Sequence, residues 1–83
     1  MKVQVRYFAS LREALGAAEA VEVPEGSTLR GLRDLLRQRS PQHASALGSE
    51  RAVRCALDQR LCSEDVALSE GAEVAFFPPV TGG

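Results

Sequence analysis

Glu73-Val74-Ala75-Phe76-Phe77-Pro78-Pro79-Val80-Thr81-Gly82-Gly83 closes the sequence and decides how the rest of it is read. After the Glu70-Gly71 turn signal, the β-branched and aromatic residues of 73–77 predict a strand. Alternation points Val74 and Phe76 into a core and Ala75 and Phe77 outward. Pro78 and Pro79 end the strand, because neither has an N–H to donate and each fixes φ near about −65°. The expected organisation is one folded unit, residues 1–77, and a tail, residues 78–83, that is free at its tip. Most termini merely fray. A core strand feeding a stiff spacer and two residues without side chains also suits the delivery of a terminal carboxylate, and the other residues must choose between these readings.

Working outward, the opening stretch is the natural neighbour of that strand. Val3, Val5 and Tyr7 share one face, while Lys2, Gln4, Arg6 and Phe8 share the other. Both end segments are strongly apolar, so placing them side by side at the centre of a sheet hides the most adhesive backbone. Ser10-Leu11-Arg12-Glu13 fits a capping box for a short helix that Gly16 closes. Glu19–Val23 alternates and predicts a second strand, joined to the first as an antiparallel hairpin with a helical insert. Ser27 or Thr28 caps the main helix, which is expected to run to about Arg39 with Leu29, Leu32, Leu35 and Leu36 as its apolar stripe. Arg30, Arg33, Arg37 and Arg39 fall on its flanks and exposed side. Gly31 costs that helix about 1 kcal/mol relative to Ala, and either a close approach to the sheet or chance accounts for it.

Ser40-Pro41 stops the helix, and residues 42–50 hold at most another short turn anchored by Leu47. Residues 52–57 predict a third strand with Val53, Cys55 and Leu57 on one face. A two-residue loop at Asp58-Gln59 would set Cys62 opposite Cys55 and Leu61 opposite Ala56. Val66 and Leu68 tuck under the sheet. The resulting order, ββαβββ, is an α+β arrangement: a mixed sheet with one main helix across one face, so that every apolar face meets another. These features point to a β-grasp, or ubiquitin-like, domain, whose C-terminal tail leaves a central strand.

The chain has 83 residues and a net charge of −1 with both signs scattered, so it offers one modest core and no basic surface for nucleic acid. No run approaches the ~18 apolar residues of a membrane span, and the N-terminus lacks a signal-peptide core, so a cytoplasmic protein is expected. In that compartment Cys55 and Cys62 are thiols, and on the inner face they act as small hydrophobes. Their spacing fits no metal site. His43 reads as a surface histidine with no catalytic constellation beside it. Gly26-Ser27-Thr28 is too slight for a phosphate loop.

The outer sheet face and the tail remain. Phe8, Leu61 and Phe77 come from three strands and all point outward, a cluster that suits a partner surface. The tail carboxylate, with an ordinary pKa near about 3.5, is an anion and a poor electrophile at neutral pH. Adenylation would activate it, and a sulfur donor could then convert it to a thiocarboxylate, in another protein's active site. Gly82-Gly83 suits a narrow channel, Pro78-Pro79 lowers the ordering cost of insertion, and residues 78–83 reach roughly 20 Å.

The ending from Val74 to Gly83 and the opening Val5-Arg6-Tyr7-Phe8-Ala9-Ser10-Leu11-Arg12-Glu13 resemble the family of molybdopterin synthase small subunits, over essentially the whole chain. Thiamine-pathway sulfur carriers share the Gly-Gly end but typically lack the Phe-Phe-Pro-Pro run. The resemblance implies that Gly83 is adenylated by an ATP-dependent activating enzyme and becomes a 1-thioglycine. It further implies that sulfur passes to a cyclic pyranopterin in the active site of a large subunit, within a heterotetramer. Phe8, Leu61, Phe77, Pro78, Pro79, Val80, Thr81 and Gly82 would be partner-binding, and this chain would hold no cofactor or metal itself. A carrier or modifier for another pathway, and a β-grasp interaction module with an inert tail, are the alternatives.

Overall fold

The computed structural model describes residues 1–79, so the expectations for Val80, Thr81, Gly82 and Gly83 lie outside the described residues. The elements run β1 (Lys2–Tyr7), α1 (Ala9–Leu15), β2 (Ala18–Glu22), α2 (Leu29–Arg37), α3 (Pro41–Ala46), β3 (Arg54–Leu57), β4 (Arg60–Cys62) and β5 (Glu73–Phe77). They form one sheet in the order β2-β1-β5-β3-β4, with β5 parallel to β1 and antiparallel to β3. The expected central pairing of the first and last strands is therefore present. Its cause is visible in the burial pattern: Val3, Val5, Val74 and Phe76 are each 0% exposed, as are Leu29, Leu32, Leu36 and Leu47 above them. Each such side chain contributes about 1.5–3 kcal/mol by leaving water. Tyr7 and Phe76 stack in the same core with ring centroids 6.3 Å apart.

The β3–β4 register is the expected one. Cys55 pairs with Cys62, Ala56 with Leu61 and Leu57 with Arg60. Asp58 and Gln59 have φ of 49° and 70°, the pair of left-handed residues that a two-residue hairpin turn needs, here without glycine. Asp58 supports that conformation by linking to β5: its N–H donates to the Glu73 carbonyl at 2.8 Å, and its Oδ1 accepts the Glu73 N–H at 2.9 Å.

Helix boundaries depart from the sequence expectation where backbone partners compete with caps. The Ser10–Glu13 capping box is not formed. Phe8 is the N-cap, without a side-chain bond, and Ser10 lies inside α1. The Phe8 N–H instead donates to the Phe76 carbonyl at 3.1 Å, which prolongs the β1–β5 ladder and forces the chain to turn at Ala9, where φ is 53°. In α2 the choice between two caps is settled for Thr28, whose Oγ1 accepts the Gly31 N–H at 3.2 Å, while Ser27 Oγ donates to the Pro24 carbonyl at 2.6 Å. Ser40 does more than end α2. Its Oγ accepts the His43 N–H at 3.1 Å, and with Pro41 in the first turn it starts α3.

Arg33 is the largest correction. Expected on an exposed flank, it is 7% exposed. Its Nε donates to the Leu47 carbonyl at 2.9 Å, and its Nη2 donates to those of Gly48 at 2.7 Å and Arg51 at 3.1 Å. Nη1 donates to Glu64 Oε2 at 2.5 Å. Residues 47–51 belong to no helix or strand, so a fixed fork of N–H donors supplies the bonds a ladder would otherwise give.

Gly31 is not a point of close approach. A Cβ there would meet only Thr28 Oγ1, at an ordinary 3.6 Å, and the residue is exposed. Gly31→Ala is therefore expected to stabilise the fold by about 0.5–1 kcal/mol, read as a higher urea midpoint at unchanged slope. A destabilised variant would show that α2 needs the glycine for packing.

Candidate docking face and tail base

Because pairing register fixes which side chains share a face, the outer surface follows directly from the ladder. Ala18, Arg6, Ala75, Ala56 and Leu61 form one row across all the strands. The next row toward the tail contains Arg54 and its partner Phe77. Phe8 continues β1 beside Phe76. Small residues in the middle of the first row leave a depression between larger ones. A groove of about 450 Å³ is lined by Arg6, Phe8, Gln59, Glu73, Ala75 and Phe77.

Of the expected partner-binding residues, Phe8 and Phe77 share this groove. Leu61 is on the same face but lies on β4, two strands from β5, and does not line it. Phe8 is 42% exposed and Leu61 67%, as their outward direction required. Phe77 faces outward too but is half-buried rather than fully solvated, because neighbours on both sides shelter it. Pro78 is half-buried and Pro79 exposed, so the base of the tail is held at the end of the central strand. Arg6, Glu73 and Gln59 were not singled out from sequence. Arg6 sits 5.8 Å from the Phe8 ring centroid and 3.5 Å from Glu73 Oε2, which gives the groove a charged rim. The alternation of β1 already put Arg6 beside Phe8, and that was the signal available.

A second polar cluster lies on the inner face. His43 is not a surface loop residue. It belongs to α3, with its side chain only 15% exposed. Nε2 lies 2.9 Å from Glu19 Oε2, and Nδ1 lies 2.8 Å from Ser40 Oγ. With Nε2 donating to the carboxylate, Nδ1 accepts the Ser40 hydroxyl proton. Tyr7 OH donates to Glu19 Oε2 at 2.7 Å, and Arg39 Nη1 pairs with Oε1 at 2.5 Å. Burial, then the hydrogen bond to Glu19, raises the Tyr7 pKa, so this hydroxyl stays a donor. Burial alone would raise Glu19, but the hydrogen bonds from His43 and Tyr7, with the Arg39 guanidinium beside it, together hold its carboxyl below the usual value.

Serine, histidine and carboxylate in a row invite comparison with a nucleophilic triad. Here the Ser40 oxygen accepts the helix-capping N–H, and Glu19 also serves Tyr7 and Arg39. The cluster staples α3 and the turn that follows α2 to β1 and β2 and presents no poised nucleophile. Cys55 and Cys62 are free thiols, Cys55 buried and Cys62 half-buried at the sheet edge. Burial, then Cys62, pushes the Cys55 thiol up to about 12, so it rests protonated and packs as a small hydrophobe until a base beside it takes the proton. Among the described residues no group of three or more His, Cys, Asp or Glu is placed to hold a metal ion. No helix among them is long and apolar enough to cross a membrane.

A mixed sheet whose parallel first and last strands are central, one main helix on the inner face and a tail leaving the middle strand define a ubiquitin-like β-grasp domain. The chain belongs to the ThiS family, whose sequence profile matches residues 5–83. It is 38% identical over 81 residues to the molybdopterin synthase sulfur carrier subunit of Escherichia coli, covering 98% of this chain and 99% of that one. The protein of the same name from Mycobacterium tuberculosis is 36% identical over 85 residues, covering 100% and 99%. Among solved structures, SAMP1 from Haloferax volcanii superposes with a TM-score of 0.84 at 25% identity, covering all of both chains. A chain from the complex of subunits 1 and 2 of the molybdopterin-converting factor of Helicobacter pylori does so with 0.71 at 27%, again covering both completely.

The Glu19 cluster makes stability pH-dependent with a definite sign. The folded carboxyl titrates below the unfolded value of 4.5, so between those values the unfolded chain binds more protons. The contribution of Glu19 is then complete above about 4.5 and is lost as pH falls through the folded value. Urea midpoints measured from pH 7 to pH 3 should fall in that acid window, and Glu19→Gln should flatten the decline. An equally steep decline in the variant would assign the acid sensitivity to other carboxylates.

Proposed function

We propose that this chain is the sulfur carrier subunit of a molybdopterin synthase and that the carboxylate of Gly83 is the group that carries the sulfur. One observation carries the reading: similarity to proteins of that name spans nearly the whole chain, and the family match runs through residue 83. The architecture supports it, because the rigid central strand β5 leads straight into Pro78 and Pro79.

The chemistry divides between this chain and its partners. An ATP-dependent adenylyltransferase joins the Gly83 carboxylate to AMP and releases pyrophosphate. A sulfur donor then displaces AMP and leaves the thiocarboxylate, a 1-thioglycine. Gly82 and Gly83 enter a narrow active site because no side chain obstructs them and their backbone accepts unusual torsions. Residues 78–83, reaching roughly 20 Å, present the sulfur to a cyclic pyranopterin in the large subunit, where the dithiolene of molybdopterin is built. Catalytic side chains reside on that subunit, and two copies of each form a heterotetramer in the cytoplasm. Phe8, Leu61 and Phe77 dock the outer face, with Pro78, Pro79, Val80, Thr81 and Gly82 lining the path of the tail. The H. pylori complex of the two subunits supports a partner of this kind.

Incubation with the activating enzyme, ATP and a sulfur donor should raise the intact mass by about 16 Da, one oxygen replaced by sulfur, localised to Gly83. An unchanged mass alongside a control carrier that gains sulfur would reject the carrier role. Deleting Gly83 should abolish sulfur transfer and leave partner affinity unaltered, whereas continued molybdopterin formation would rule out the tail mechanism.

Phe77→Ala should weaken binding to the large subunit by about 1–3 kcal/mol. An unaltered dissociation constant would remove Phe77 from the interface.

A further inference from the structure

The β3–β4 hairpin carries two thiols that the carrier mechanism leaves unused. Cys55 and Cys62 are partners across the antiparallel ladder and project from the same face. Their sulfurs are 4.0 Å apart, and the Cys55 thiol donates to the Cys62 carbonyl at 3.3 Å. Opposed residues of such a ladder have Cα atoms about 4.5–5.5 Å apart, inside the ~4.4–6.8 Å that a disulfide spans. The ladder pairing therefore sets the two residues within the span that a disulfide bridges.

Access to the two sulfurs is unequal. Cys55 is 5% exposed, whereas Cys62, on the outermost strand, is half-buried against the rim of the core. A reagent in solution meets Cys62 first, and the sheltered Cys55 is the sulfur beside it. The hairpin between them is tight, turning at Asp58-Gln59. Closing so short a loop constrains the unfolded chain less than a long one would, and a bond at the sheet edge is open to exchange with its redox surroundings.

We propose that Cys55 and Cys62 are a reversible dithiol–disulfide site that exchanges with a small diffusible disulfide such as oxidised glutathione. The Cys62 thiolate attacks one glutathione sulfur and releases one glutathione thiolate, leaving a mixed disulfide. Cys55 gives its proton to that thiolate and attacks the Cys62 sulfur, expelling the second glutathione. Two protein thiols are oxidised to one disulfide, and one glutathione disulfide is reduced to two thiols. The bond ties β4, which pairs with β3 alone, covalently to the sheet and holds Leu61 opposite Ala56 on the other face. The exchange stands whether or not Gly83 carries sulfur.

The test uses the full chain, equilibrated in glutathione buffers of graded potential, acid-quenched, alkylated with iodoacetamide in denaturant and weighed intact. Reducing buffers should yield two alkylated thiols. Oxidising buffers should yield an unalkylated chain about 2 Da lighter than the unmodified dithiol chain, with peptides containing Cys55 and Cys62 linked, and dithiothreitol should reverse the change. Amide hydrogen exchange at residues 61–62 should slow several-fold on oxidation. Cys55→Ala should instead trap a lasting glutathione adduct on Cys62. The proposal is overturned if the wild-type chain accumulates that same adduct without forming the bond. It is equally overturned if both thiols stay alkylatable across the series. The wild-type result decides by itself should the variant fail to fold.

Discussion

The parallel pairing of β1 with β5 is the constraint on which the rest of this molecule depends. Val5 sits against Val74 and Tyr7 against Phe76, bringing the two ends of the chain into the middle of one sheet. Parallel neighbours cannot be joined by a tight turn, so everything between them must travel around the core and back. That route places α2 over the inner face, sends β2 to one edge and β3–β4 to the other, and leaves the C-terminal segment emerging from the centre. The same pairing overrode the local helix signal at Ser10, since extending the ladder to Phe8 was incompatible with a cap two residues later.

Two polar clusters compensate for what so small a core cannot cover. Arg33 bonds the carbonyls of the irregular stretch after α3, and Glu19 collects Tyr7, His43 and Arg39 where α2 and α3 meet the sheet edge. Buried charge is costly unless its hydrogen bonds are complete, and both groups approach that condition. Their effect is to fix one arrangement of connections whose own hydrogen-bonding demands regular structure does not meet.

These clusters also mark the boundary of what was legible in the sequence. Period-two alternation gave every inward residue of β1 and β5, and the two-residue loop at Asp58-Gln59 gave the pairing of Cys55 with Cys62. Such patterns record burial, which is local and repetitive. Arg33 and His43 were misplaced because a polar side chain reads the same whether solvent or a distant carbonyl or carboxylate receives its N–H. Their partners, from Glu19 to Arg51, are set by tertiary geometry. At the docking face, the direction of Phe8, Leu61 and Phe77 was legible. The groove that joins only Phe8 and Phe77 depends on strand order, which alternation does not encode.

Strand order also explains why a carrier is better served by a central exit than by an edge. A tail leaving an edge strand would start from a segment hydrogen-bonded on one side, and its base would fray with that edge. β5 is bonded on both sides, to β1 and β3, so the point from which the tail departs is fixed relative to the outer face. A partner that grips that face then captures the base of the tail in the same act. In the proposed carrier role, entry into an active site would then be an intramolecular step, with the effective concentration set by the six residues 78–83 rather than by diffusion of a free peptide. In that proposed role the docking face and the terminal glycines would need no shared residues to act together, because β5 would couple them.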